Sequence, residues 1–428
     1  MADSATRPTE HHPGPSQVPA WRDVYILASI RGLSVAGDIM AATALTLMLQ
    51  KNGAGAYAVM ALLLAATVPP VLLSPLTGRF ADRFDSRRLI VTVGTLQALV
   101  CAAMTMLSSP ALLIALSVLL STGLAFTHPV FGGLPGAMVG KENVPRASSI
   151  SQTTAMGGMV AAPAVAGFMT GHFGVTIPLA LDSVSFLVVA LGGLLITTRL
   201  HPNRGGAAQP GDGTQPAEAV YRISSDRFLR AVLVLSGAVM ACACIINVLI
   251  VFYVRDTFGA SDQVYGLIMS SWMVGLVPGA LLVRRIKRLS HEFILIGSFL
   301  CIGVGILGAG LAPSVWWIAP FYMLGGFGNG AQATVTHILL NLRVPQAYRG
   351  RAFAALGAVS NTGPVTGYLL GGVVLSFTQP RYAFFAAGVF VLLALLGFAK
   401  NVLKSASEPA VEAPLSTTPA DAAAAAAS

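Results

Sequence analysis

The stretch Gly78-Arg79-Phe80-Ala81-Asp82-Arg83-Phe84-Asp85-Ser86-Arg87-Arg88 packs four arginines and two aspartates into eleven residues. An apolar run lies on each side of it, 56–76 before and 89–107 after. A membrane-crossing helix needs roughly 20 mostly apolar residues. A short basic break between two such runs is therefore the pattern of a loop that turns the chain back through a bilayer.

Working outward, the pattern recurs. Apolar runs lie near 24–49, 56–76, 89–107, 111–131, 151–169 and 177–196. After a polar gap come 231–254, 264–283, 293–311, 315–336, 352–377 and 382–398. Glycine and proline inside these runs are compatible with packed transmembrane helices. The composition agrees: 55% of the residues are hydrophobic and only 10% charged, where a soluble domain carries about 25% charged residues. The fold class expected is an all-α membrane protein of twelve transmembrane helices in two pseudo-symmetric six-helix halves.

The net charge of +9 is not spread as a nucleic-acid surface would be. With the N-terminus cytoplasmic, 22 of the 26 Lys and Arg fall on the inner side. The outer loops keep Lys51, Arg255 and Arg381, and Arg31 lies within the first span. That asymmetry follows the positive-inside rule. It predicts a multi-pass protein of the cytoplasmic (inner) membrane with both termini cytoplasmic, and no nucleic acid as partner. Cys101, Cys242, Cys244 and Cys301 all fall in apolar runs and read as small buried hydrophobes. No metal cluster and no cofactor are expected.

The expected organisation is a disordered tail over 1–20, an N-terminal bundle over 21–198 and a cytoplasmic linker over 199–228. A C-terminal bundle over 229–402 and a second disordered tail over 403–428 complete it. No cleavable signal peptide is expected, because the first apolar run is long and holds Arg31 and Asp38. Tyr221–Arg230 alternates apolar and basic residues and reads as a short helix on the inner membrane surface. The two halves echo each other: Val144-Pro145-Arg146-Ala147 returns as Val344-Pro345-Gln346-Ala347, and Ala162-Pro163…Gly167 as Gly363-Pro364…Gly367. A common offset of about 200 residues points to duplication. Internal repeats are typical of secondary transporters, whose site lies between the repeats near the midplane.

The loop that opened this reading resembles the cytoplasmic loop motif of the major facilitator superfamily, G-x-x-x-D-R-x-G-R-R. Gly78, Asp82, Arg83, Arg87 and Arg88 match, while Asp85-Ser86 replaces the usual glycine. The resemblance implies a gating loop that biases the two access states; a plain basic loop obeying the positive-inside rule is the alternative. Gly158-x-x-x-Ala162-Pro163-x-x-Ala166-Gly167 resembles the superfamily's antiporter motif, with alanine at two glycine positions. Small residues there, as at Gly363, Pro364 and Gly367, allow close helix packing. Arg31-Gly32-Leu33-Ser34, Leu181-Asp182-Ser183-Val184 and Arg349-Gly350-Arg351 look like the branch with macrolide-efflux and enterobactin-export proteins. The resemblance implies the major facilitator fold and export of a small molecule.

Charged residues inside a span need a reason, since each costs about 2.5–3.5 kcal/mol on insertion scales. The first half holds Arg31, Asp38 and Asp182 within its spans, with the titratable His128; the second half holds no Asp, Glu, Lys or Arg in its apolar runs. A buried carboxyl suits reversible protonation, so Asp38, Asp182 and His128 are candidates for proton coupling. The alternative for each is a fixed structural role. Arg31, Asn247, Asn329, Gln332 and Asn361 are cavity candidates, with interhelical hydrogen bonding the alternative.

The function expected is proton-coupled export of a small amphipathic compound (an antibiotic, drug or siderophore) by alternating access, performed by a monomer in the lipid bilayer. An uptake permease or facilitator of the same fold is the alternative. An intramembrane enzyme is remote: His291-Glu292-Phe293-Ile294-Leu295 lacks the second histidine of a zinc protease, and no nucleotide-binding G-x-x-x-x-G-K-[ST] occurs. No catalytic residue is assigned.

Overall fold

The computed structural model describes residues 20–198, 227–286, 289–344 and 348–406. Most of the expected tails, nearly all of the linker and the surface helix over 221–226 lie outside the described residues; residues 403–406, expected in the second tail, continue the last helix. The first helices are α1 (Trp21–Lys51), α2 (Gly55–Arg83) and α3 (Ser86–Met104). A continuous helical run, Pro110–Phe173, follows, with one break at Gly140, where φ is 72°. With ψ at 165° this is a backbone region essentially only glycine adopts, so glycine is the residue that can turn the chain there. The run is thus two helices, α4 (110–139) and α5 (141–173). Then come α6 (Thr176–Leu195), α7 (Arg227–Phe252) ending in a π-helical turn at Tyr253–Thr257, and α8 (Asp262–Arg285). The last four are α9 (His291–Gly310), α10 (Val315–Arg343), α11 (Arg349–Phe377) and α12 (Pro380–Ala406).

Nine of the helices among the described residues are long and apolar enough to cross a membrane by composition. The other three, α5, α10 and α11, reach membrane-crossing length at 1.5 Å per residue, but carry more glycine and polar residues. All three pack against other helices through those small residues. Large apolar side chains instead cover the outside of the bundle, among them Leu96, Leu99, Leu393 and Leu396. In water this would be an anomaly; in lipid it is the solvent-facing surface.

Two boundaries differ from the expectation. Arg227–Arg230 forms the first turn of α7 rather than a surface helix, because Phe228 and Leu229 are buried in the core. The fifth span begins well before Ser151: α5 starts just after Gly140, and Pro145 sits within its first turns.

The duplication read from the sequence is visible in the packing. Helix α5 packs on α1 of its own half and on α8 of the other; α11 packs on α7 of its own half and on α2 of the other. Close approach at these crossings needs residues without side chains. A Cβ on Gly158 would meet the Gly32 carbonyl at 2.7 Å, and one on Gly167 would meet Gly266 Cα at 2.9 Å. In the second half, Gly367 lies against Cys244 and the α7 backbone, and Gly372 against Met60 of α2. Gly363 approaches Met240. Pro163 and Pro364 occupy matching places inside α5 and α11. With no hydrophobic drive between helices in lipid, such backbone contact carries much of the association.

Candidate functional site

Two of the sequence candidates come together. Asp38 stands in the middle of α1, half-buried, and Asp182 stands in the second turn of α6, buried to 1% exposure. Their carboxyls lie close enough to interact electrostatically. Gly37 permits the approach: a Cβ there would meet the Asp182 carboxylate, and the Ser185 hydroxyl at 2.6 Å. Ser185 donates to Asp182 Oδ1 at 3.2 Å, and the Cys101 thiol of α3 donates to Oδ2 at 3.4 Å. Among the described residues, neither acid is in a salt bridge. Reading Cys101 as a plain small hydrophobe missed its thiol on this carboxylate.

Arg31 lies elsewhere, seven residues before Asp38. It donates to Ser151 Oγ of α5 at 3.3 Å and lines a cavity of about 740 Å³. Phe131 and Pro135 of α4, Gln152 of α5, Val277 of α8 and Thr334 of α10 share its walls. These residues come from the ends of the helices nearest the basic loops, so the cavity lies between the halves toward that face. His128 of α4 is exposed and within electrostatic reach of Arg31, not of the acid pair.

At the opposite face the halves are closed. Lys51, ending α1, pairs with Asp262, starting α8, at 2.5 Å, and Arg255 pairs with the same carboxylate at 3.2 Å. Gln50 donates to Asp256 at 2.6 Å. Beside them the Gly167 and Gly171 end of α5 presses on α8 at Asp262, Gly266 and Gln263. Helix α5 thus seals the end away from the cavity. Two of the three outer cations in the sequence belong to this seal; the third, Arg381, donates to the Ala312 carbonyl at 3.0 Å.

The second half has its own interior. A cavity of about 180 Å³ is lined by Asn247, Trp272, Tyr322, Asn329, Pro364 and Tyr368, and a neighbouring one of about 100 Å³ by Gln332, Asn329 and His337. Gln332 also donates to Ser236 and Thr336, both at 3.1 Å. Asn361 is exposed and lines neither cavity.

The loop motif has a structural account at its departure point. Helix α2 continues through Arg83, and Asp85 is the N-cap of α3: its Oδ1 accepts from the Arg87 and Arg88 amides at 2.9 and 3.1 Å. Asp85-Ser86 is a capping sequence, a signal available from the residues alone. Arg83 and Arg88 are exposed and Arg87 half-buried; Gly78 and Asp82 lie on the last turns of α2. One acid went unnoticed in the sequence. Asp23, buried at the start of α1, accepts from both the amides and the hydroxyls of Thr197 and Thr198 at 2.8–3.0 Å.

Among the described residues, twelve helices in two related halves, with a cavity between them open toward one face and sealed at the other, define a transporter of the major facilitator fold. The chain belongs to the transmembrane secretion effector family, whose model matches residues 15–425. An uncharacterised major facilitator transporter of Bacillus subtilis, YfiS, is 23% identical over 81% of this chain and 84% of the relative. The multi-drug resistance efflux pump PmrA homologue of Lactococcus lactis is 23% identical over 76% and 80%. Among solved structures, the nucleoside transporter NupG superposes with a TM-score of 0.72 at 14% identity, covering 90% of this chain and 99% of that one. A bacterial homologue of the lysosomal transporter Spinster, in an inward-facing and unoccupied conformation, superposes with a TM-score of 0.66 at 13% identity, covering 92% and 99%. The family and its structural neighbours are transporters, not enzymes.

Proposed function

We propose that this transporter exports a small amphipathic compound in exchange for protons, with Asp38 and Asp182 as a shared proton site. The observation that carries the reading is the approach of two acids from α1 and α6 at a place where, among the described residues, neither is in a salt bridge. A proton held between them neutralises charge that apolar surroundings penalise. Because α1 also carries Arg31 into the main cavity, a change of charge at Asp38 bears on the helix that lines the solute path. The multi-drug efflux pumps among the relatives favour export over uptake. The basic face is read as cytoplasmic, so the cavity opens inward and Lys51–Asp262 closes the outer side.

The test uses inside-out vesicles and a panel of fluorescent amphipathic dyes. Dye accumulation that appears only when the lumen is made acidic, and that collapses with a protonophore, is the expected result. Accumulation indifferent to the pH gradient would leave a facilitator.

A further inference from the structure

We propose that the 180 Å³ cavity of the second half is a recognition subsite for an uncharged aromatic group bearing a hydrogen-bond acceptor, with the Tyr322 hydroxyl as donor. Tyr322 is 2% exposed, lines this cavity, and among the described residues its hydroxyl has no hydrogen-bond partner. Buried polar groups are nearly always paired; this hydroxyl is unpaired and out of reach of water, so an acceptor entering the cavity reaches it as the adaptable methionines of the lining give way. Tyr368 and Asn247 stand close together on the same wall, and Asn329 lines it as well.

Three further observations set the chemistry. Among the described residues, no Asp, Glu, Lys or Arg lines this cavity, and His337 is the one side chain with basic character in the adjoining space. An ionic group placed there would be desolvated with no counter-charge, a costly position. Trp272 sits edge-to-face with Tyr322, ring centroids 5.4 Å apart, and offers an aromatic wall, while Met240, Met269 and Met273 complete the apolar lining with adaptable side chains. The volume is near that of the engineered cavity of about 150 Å³ that takes up benzene. It therefore receives one or two fused rings, not a whole drug-sized molecule. The class of group that fits is a neutral aromatic ketone, ester, ether or azine. This deepens the export reading, on which it rests only in taking the cavity as part of the solute path.

The test measures binding to the full chain in lipid nanodiscs by quenching of tryptophan emission, with empty-nanodisc partitioning subtracted. The probes are 2-acetylnaphthalene and 2-ethylnaphthalene, which are alike in ring and size and differ in the ketone oxygen. The wild-type chain should bind the ketone more tightly. Tyr322→Phe should weaken ketone binding about three- to tenfold, the worth of one neutral hydrogen bond, and leave the hydrocarbon unchanged. Without ligand, Tyr322→Phe should melt no lower than wild type, since the lost hydroxyl makes no bond in the fold. Equal affinity of the wild type for both probes, equal weakening of both by the variant, or a variant that melts several degrees lower would each overturn the proposal. No gradient is involved, so a chain that binds the ketone but exchanges no protons contradicts the export reading alone.

Discussion

Lys51 Nζ and Asp262 Oδ2 stand 2.5 Å apart and tie the first half of the bundle to the second at the end farthest from the main cavity. Asp262 is buried, and Arg255 of its own half holds its other oxygen. Opening that end must separate Lys51 from Asp262 while Arg255 travels with it. The pair is thus a latch on one access state. Lys51 is partly exposed, so its share is modest, about 0.5–1 kcal/mol, or a few-fold in population. Spin labels at the exposed Asn52 and Thr257 should show Lys51→Ala gaining a longer-distance population. Asp262→Asn, which removes the carboxylate charge from the same pair across the halves, should shift the distances in the same direction.

Gly167 makes the same end close by backbone contact. A Cβ there has only the backbone of Asp262 and Gly266 to displace, so helices α5 and α8 must part. Gly167→Ala should shift the same spin-label distances outward and slow transport, with normal expression. Gly157, which has open space around it, is the control for the distances: Gly157→Ala should leave them unchanged.

Asp23 predicts a stability effect without a transport signature. Its carboxylate satisfies four donors of Thr197 and Thr198 at the end of α6. Asp23→Ala deprives the part-buried Thr197 and Thr198 amides of their acceptor, at a cost of about 1 kcal/mol. The purified variant should melt several degrees lower, while the protein that remains folded binds ligand normally.

Asp85 caps α3, and Asp85→Ala should cost about 1 kcal/mol. Hydrogen exchange at the Arg87 and Arg88 amides should quicken, with the core of α3 unchanged.

The twelve crossings, the two halves and the positive face were legible because each rests on a local pattern: run length, a 200-residue echo and the placement of arginine. Asp38 and Asp182 were legible singly, since an acid in an apolar run stands out. Their meeting was not, because it depends on the crossing of α1 and α6 at Gly37, which no spacing encodes. Lys51 and Arg255 were read as outer-loop charges, and Asp262 was not singled out, for the same reason. Tyr322 and Trp272 were invisible as site residues: in sequence they are apolar-span aromatics, and only packing shows one hydroxyl left open. The Asp85 cap, by contrast, could have been read from Asp-Ser before a helix.

The central claim, that Asp38 and Asp182 hold the exchanged proton, is tested most directly in proteoliposomes by comparing two modes of transport. Asp38→Asn should abolish dye accumulation driven by an acidic lumen, yet retain passive dye exchange across the membrane at equal pH. Undiminished gradient-driven accumulation in Asp38→Asn, and equally in Asp182→Asn, would contradict the account.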